Sequence, residues 1–334
     1  MVKSHKSEAL YLWSTVPVEI FKTSFKLLSV MLITIVTYNP EEDFVADMIK
    51  KIREKEERVK ILVIDNHSTK RSLNKVQLLS DYFIPFDKNY GLGKAYNKAI
   101  EVAKELREDY VIFLDQDTTI LDNFALGKVI REAKELKEKK GPLSVILSVN
   151  IDNALIDKEI PNSNFYIARG IVNSGMILNV DYALEQPFLE SLFLDGLDNE
   201  YTYRAEKFGY LPLVYKERMI LHKPGERSKY ASRLCGKLLV ALMLMLHRND
   251  KDREKYKQYG YYFNFLRYYL ILRNDIYLWL RRRIYPNFWK MIIRDLLIMC
   301  EVLGYGKSAK WIFRAIKYGL LGDLEKDNQK LFEV

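Results

Sequence analysis

"VIFLDQDTTI", residues 111–120, drives an apolar run straight into Asp115, Gln116 and Asp117. A buried strand has no packing need to end in two carboxylates, because desolvating unpaired charge is costly. In an open parallel sheet, ligands bind outside the carboxyl ends of the strands. The stretch therefore reads as a core strand whose end carries chemistry. Two acids at i and i+2 of an extended backbone point to the same side, and they repel unless a cation stands between them. Hard oxygen ligands suit Mg²⁺ or Mn²⁺, which commonly join carboxylates to substrate phosphates. The plainer alternative is that Asp117 caps a turn and Asp115 is solvated.

Upstream, "MLITIVTY" (31–38) is a β-branched run stopped by Asn39-Pro40, which predicts a buried strand. Phe44, Val45, Met48, Ile49 and Ile52 then fall at helical spacing. "KILVIDN" (60–66) and "YFIPF" (82–86) read as strands, and "GLGKAYNKAIEVAKEL" (91–106) as a helix opened by glycines. After the strand ending at Asp115, a helix is expected near 122–139. Strand and helix alternate as in a mostly parallel α/β sheet with helices on both faces. Downstream of Gly141-Pro142 come a strand "LSVILSV" (143–149), a loop at 152–164 and a strand "GIVNSGMILN" (170–179). A helical stretch "DNEYTYRAEKFGY" (198–210) and one strand from "LPLVYKERMI" to His222 follow. Beyond about 229 the pattern is helical.

The 334 residues, 49% of them apolar, suffice for one large domain and a smaller one. Cys235 and Cys300 form neither a disulfide framework nor a zinc-ligand spacing, so a reducing compartment is expected. No apolar run reaches the ~18 residues of a spanning helix; "LLVALMLML" (238–246) is too short. Residues 1–30 contain no clean signal-peptide core. Charge is uneven: residues 223–320 hold 21 Lys and Arg against 7 Asp and Glu, a net of +14, within a chain of net +9. Trp279, Trp289, Trp311 and Arg281-Arg282-Arg283 are interleaved with apolar blocks there. This suggests helices lying on an anionic membrane surface. A helical subdomain packed on the core, or a homodimer contact, is the alternative. A basic tail alone would also permit a nucleic-acid binder, but no module for one is recognisable.

Four polar clusters fall at the expected strand ends: Thr37-Tyr38-Asn39, Asp65-Asn66, Asn89 to Asn97, and Asp115-Gln116-Asp117. Gly91 and Gly93 open a helix with Lys94 in its first turn, yet the third glycine of a dinucleotide fingerprint is missing. Asp195, Asp198 and Glu200 crowd into six residues. Crowding raises a carboxyl pKa and suits a general base, while acids at a helix start also favour its dipole. His222 becomes a candidate third metal ligand. An apolar run ending in Asp-x-Asp with a nearby Thr is also similar to haloacid-dehalogenase phosphatases. There, however, the motif ends the first core strand, and here three strand-like segments precede it.

The ordered set "IVTYNP", "VIDNHS", "NYGLGKAYNKAI", "FLDQD", "VNSGMILN", "LFLDGLDNEYTYRAEKFGY", "LHKPG" and "YYLILRN" resembles the family 2 inverting glycosyltransferases of GT-A fold, and within them the rhamnosyltransferase group. The resemblance implies residues 1–30 as an N-terminal extension, 31–228 as a GT-A catalytic domain and 229–334 as a helical C-terminal region. The extension would be an added membrane-surface helix, unless translation starts at Met31. The resemblance further implies that Thr37, Tyr38, Asn39, Asp65 and Asn66 line the nucleotide pocket, and that Asn89, Gly91 and Lys94 lie near ribose and phosphates. Asp115 and Asp117 would hold the diphosphate through a divalent cation, with His222 on the metal side and Gln116 on the nucleotide-sugar side. Asn173, Ser174 and Gly175 would line the donor and acceptor side. Asp198 would be the base, with Asp195 and Glu200 as its acidic neighbours. The implied donor is a nucleotide diphosphosugar, dTDP-rhamnose first and a UDP-hexose second. The implied acceptor is a saccharide or lipid-linked glycan in cell-surface polysaccharide synthesis. The implied location is cytoplasmic, peripheral on the inner face of the membrane, with no nucleic-acid partner.

Overall fold

A computed structural model describes residues 31–332, apart from 57, 71, 140, 142, 223–226, 229–233, 236, 239–260 and 263–264. The expected extension 1–30, most of "LLVALMLML" and the Lys223-Pro224-Gly225 stretch lie outside the described residues.

Strand β1 (Met31–Thr37) is buried along its whole length and lies inside the parallel part of the sheet. It pairs in parallel with β2 (Lys60–Asp65) on one side and with β4 (Tyr110–Asp115) on the other. β3 (Tyr82–Pro85) extends the parallel half beyond β2. The register aligns Thr37 with Asp65 and Val36 with Asp115. That alignment puts three of the four polar strand ends in one row, as the sequence predicts.

Side chains of β1 alternate between the faces, as the two-residue period of a strand requires. Leu32 and Val36 join a core under α3 (Leu92–Glu105). Ile33 and Ile35 join the opposite core with Val45, Ile49 and Ile52 of α1 (Glu42–Lys55) and Val129 and Ile130 of α4 (Leu126–Glu138). A short helix α2 (Asn74–Leu79) also lies on this face, through Val76.

Past β4 the sheet turns mixed. β9 (Met176–Asn179) runs antiparallel to β4, and the order is β3-β2-β1-β4-β9-β6-β10-β8-β7. Here β6 is Ile146–Ser148, β7 Leu155–Glu159, β8 Phe165–Gly170 and β10 Leu213–Tyr215. Between β9 and β10 the chain forms α5 (Val180–Glu185) and α6 (Leu197–Lys207).

Three expectations need correction. "LPLVYKERMI" to His222 is two strands: β10 stays in the main sheet, while β11 (Ile220–His222) leaves it to pair with β5 (Thr118–Ile120). "GIVNSGMILN" is likewise divided, because Asn173 to Gly175 form a turn between β8 and β9. The loop expected at 152–164 contains β7, an edge strand exposed at every residue, and such a strand shows no alternation to read.

Among the described residues the tail is helical, as expected, apart from Tyr261–Tyr262, which pairs antiparallel with Arg227–Ser228. It comprises α7 (Phe265–Leu280), α8 (Trp289–Leu303), α9 (Tyr305–Leu321) and α10 (Leu324–Phe332). They share a core of Tyr268, Tyr269, Leu272, Ile298, Met299 and Ala315, reached from the sheet half by Phe193. One basic residue of the tail is wholly inside: Arg273 is 0% exposed and donates to Asp327 at 2.7 Å and to Asn328 at 2.8 Å. Asp327 also accepts from Tyr269 and Arg314. Breaking such a buried pair by removing one partner typically costs about 3–5 kcal/mol. Trp311, partly buried, packs against Phe265 and Tyr269.

Candidate active site

Hydrogen bonds join the polar strand ends into one edge. Thr37 donates to Asp65 at 2.9 Å, and Asp65 also accepts from the Ser68 amide and hydroxyl. The Asn39 side chain accepts the Thr69 and Lys70 amides, bracing the loop after β2. The Tyr38 amide donates to Gln116 at 2.7 Å, tying β1 to β4. Asn66 accepts the Tyr90 amide, and Asn89 accepts the amide of Gly91. Thr37, Asp65 and Asn66 are buried, whereas Tyr38 is half exposed at the rim.

Gly91 has φ +81°, and a Cβ there would run into the Phe193 backbone. The Leu92 amide donates to the Phe193 carbonyl at 2.6 Å. Only glycine fits this combination of left-handed backbone and close approach. So the glycine turn serves as a dock for residues 190–196, and a dinucleotide fingerprint has no part in it. Lys94, expected near phosphates, reaches Glu190 at 3.4 Å. Asn97, close to where the third glycine would fall, bonds Glu190 and both backbone groups of Phe188.

β4 ends at Asp115, and Gln116 and Asp117 form a turn into β5. The two acids therefore converge through a turn, not along an extended strand. Register between β5 and β11 sets His222 opposite Thr118. This small ribbon brings His222 Nδ1 to 3.4 Å from Asp117 and 3.8 Å from Asp115. The three ligand atoms all lie within 4.8 Å of one another. His222 Nδ1 is buried without a hydrogen-bond partner among the described residues. Burial raises the Asp115 pKa to about 6; the Asp117 charge adds to the rise and His222 and Arg267 oppose it. Two carboxylates and an unpartnered imidazole nitrogen, one acid held up by desolvation, fit a divalent cation.

Ser174 braces this corner. Its hydroxyl accepts the Asp115 amide at 3.3 Å and bonds Thr118 at 2.7 Å. Gly175 has φ +89°, and a Cβ there would meet Ile220 at 2.7 Å, so β11 can pass only over a glycine. The adjacent Asn173 Oδ1 is buried without a partner among the described residues.

Asp198 lies in the first turn of α6, where the helix dipole favours an acid. Burial pushes its pKa up to about 6; the Asn199 amide opposes this, while Asp195 and Asp115 add to it. Burial pushes the Tyr96 hydroxyl pKa up, and the charges of Asp115 and Asp198 add to the rise. Asp195 pairs with Arg267 at 3.1 Å. Glu200 is 1% exposed and held by Arg204 at 2.9 Å and Arg283 at 3.1 Å. Both its oxygens are occupied, so it ties α6 to the tail and presents no free face to a substrate.

The loop carrying these acids is held from the tail. Asn274 donates to the carbonyls of Leu192 and Asp195 at 2.8 and 2.7 Å. Asn328 donates to the Ser191 carbonyl at 3.0 Å, and Phe193 stacks on Phe332 at 4.0 Å. Glu190, Arg267, Asn274 and Asn328 are site-supporting residues that sequence reading misses. The one signal was the polar Arg273-Asn274-Asp275 run inside an apolar helix, which asks for buried partners.

Residues 32–163 match the family model "Glycosyl transferase family 2". The chain is similar to the dTDP-rhamnosyl transferase RfbF of Shigella flexneri, 25% identical over 219 residues, spanning 60% of this chain and 71% of that protein. Among solved structures it is similar to S. aureus TarS (TM-score 0.44, 13% identity), covering 87% of this chain and 54% of that one, about half its length. It is also similar to the mannosyltransferase PcManGT from Pyrobaculum calidifontis (TM-score 0.47, 12% identity), covering 87% of this chain and 74% of that one.

Proposed function

We propose that this chain, a glycosyltransferase with family 2 sequence over residues 32–163, moves a sugar from a nucleoside diphosphate to an acceptor hydroxyl with inversion at the anomeric carbon. The carrying observation is the convergence of Asp115, Asp117 and His222, with Asp198 electrostatically linked to that corner.

Asp65 and Asn66, fixed by Thr37, Ser68 and the Tyr90 amide, form the nucleotide side. Asp115, Asp117 and His222 would hold Mg²⁺ or Mn²⁺. Such an ion supplies positive charge to the diphosphate as the sugar bond breaks. Asp198 accepts the proton of the acceptor hydroxyl. The hydroxyl oxygen then bonds to the anomeric carbon on the face opposite the phosphate, and the electron pair of the broken C–O bond leaves with the diphosphate. A carboxyl with a pKa near 6 is ionised at neutral pH and more basic than an ordinary carboxylate. Asp195 and Glu200 position the loop.

The donor proposed first is dTDP-rhamnose, supported by the RfbF relative; a UDP-hexose is second. A donor screen reading nucleoside diphosphate release, with Mg²⁺, Mn²⁺ and chelator arms, tests this. Turnover of dTDP-rhamnose that stops on chelation is expected. Release from no sugar nucleotide under any metal would end the reading.

The acceptor is proposed to be a saccharide, lipid-linked and met at the inner membrane face. No helix among the described residues is long and apolar enough to cross a membrane. However, Trp289 and Ile293 of α8 and Phe313, Leu320 and Leu321 of α9 are exposed, alongside exposed Lys290, Lys310 and Lys317. Apolar side chains amid lysines suit an anionic bilayer surface. We expect the protein to co-sediment with vesicles containing anionic lipid at low salt and to be released by high salt. Full recovery in the supernatant, with the protein dimeric, would assign the face to a second copy.

A further inference from the structure

The stretch "YYLILRN" (268–274) ends, in the middle of α7, on Arg273 and Asn274, both 0% exposed. Packing alone calls for neither, because a buried polar group is costly unless it is hydrogen-bonded. Their bonds form a closed ring. Asn274 Oδ1 accepts from Arg273 Nε at 3.1 Å and Nη2 at 2.9 Å. That contact fixes which way the amide faces and leaves its Nδ2 to donate to the carbonyls of Leu192 and Asp195, at 2.8 and 2.7 Å. Arg273 Nη1 donates to Asn328, and Asn328 donates to the Ser191 carbonyl, which returns the ring to the same loop. The pinned Asp195 lies one residue before Gly196, the N-cap of α6. Gly196 has φ +89°, and a Cβ there would meet Leu278 at 3.3 Å and Asn274 at 3.9 Å. The Gly196 carbonyl accepts the Glu200 amide at 3.0 Å, the first helical bond of α6. Asp198 stands two residues beyond Gly196, inside that turn. The helix carrying the proposed base therefore starts directly on Asn274.

We propose that Asn274 is a positioning residue for Asp198: its two donations set the place and direction of the first turn of α6, and with them the place of the base. Arg273 orients the amide that does this. The inference rests on the function proposed above. Stability alone does not ask for such a ring, because well-packed apolar side chains often hold two segments as firmly. A fully satisfied buried network adds a single defined geometry. A general base needs that geometry, since a misplacement of about 1 Å can cost about 100-fold in rate.

Asn274→Asp tests this. The carboxylate has nearly the shape of the amide and still accepts from Arg273, but it cannot donate to the two carbonyls. Its kcat is expected to fall by about 10- to 100-fold, with calorimetric binding of dTDP and Mn²⁺ changed less than about threefold. The deciding comparison is the same substitution made on Asp198→Asn. A residue that acts through the base has nothing left to position there, so the further loss should be less than about threefold. Equal losses in the two backgrounds, or no loss of kcat in either, would overturn the proposal and leave Asn274 as a structural tie. If lost dTDP binding shows that Asn274→Asp folds poorly, Asn328→Asp carries the same comparison, since it keeps an acceptor for Arg273 and removes only the donation to Ser191. Failure of the unaltered protein to transfer sugar from any nucleotide donor would instead remove the function reading, and this inference with it.

Discussion

Asp198→Asn should lower kcat by about 10²- to 10⁴-fold, the usual worth of a positioned general base, while donor KM stays within a few-fold. The amide has nearly the shape of the acid and can still accept the Asn199 amide, so the start of α6 should persist. What it lacks is the capacity to take a proton. A distinct pH signature accompanies the loss. Burial holds the Asp198 pKa up at about 6, and the base works only when ionised. Activity of the unaltered enzyme should therefore fall as pH drops through about 6, a limb that lies above the ordinary carboxylate range. Asp195→Asn is the necessary contrast, since that acid sits three residues away and is also raised, chiefly by burial. It should perturb the loop and keep the acid limb. If Asp195→Asn abolished that limb while Asp198→Asn kept it, the two roles would exchange.

Asp115→Asn should cost at least about 100-fold in kcat/KM, the upper end of what changing a mere partner of a metal ligand costs. It should also abolish the rise in Tm that Mn²⁺ gives the unaltered protein, because an ion binding only the folded state stabilises it by mass action. Without metal the variant should melt no lower than the parent. The sign follows from linkage: a carboxyl whose folded pKa is raised to about 6 makes the fold bind protons more readily than the unfolded chain. Its stabilising contribution is present at acid pH and lost as pH rises through about 6, so at neutral pH the ionised, uncompensated Asp115 weighs against folding. An Mn²⁺ response retained in full by Asp115→Asn would remove this residue from the metal set.

The parallel half of the sheet was legible because each strand there changes from apolar to polar within one or two residues, at Thr37, Asp65 and Asp115. Register then aligned those switches. The mixed half was harder to read. Its strands are short, and nothing local in Leu211 to His222 says that the chain changes sheets between Tyr215 and Ile220. Asp115, Asp117 and His222 were nevertheless identified by residue chemistry, and the β5–β11 ribbon explains how a histidine over a hundred positions away reaches them. Arg267 and Asn328 stayed hidden for a different reason. Their partners are backbone carbonyls and acids in a distant loop, and a contact of that kind leaves no periodicity in either segment. The net positive tail suggested basic residues turned outward to an anionic surface, yet Arg273 lies fully inside, paired with Asp327, a carboxylate that only the fold brings near.

The bond from Asn328 to the Ser191 carbonyl spans 137 positions of chain. At ribosomal speeds of about 5–20 residues per second, those positions take about 7–27 s to make. Until Asn328 is made, the loop of residues 190–196 lacks this brace from the tail. On the proposed roles, that brace bears on transfer more than on donor binding. It also means that a fusion or protease cut near Phe332 would show up first as lost turnover, with donor affinity intact.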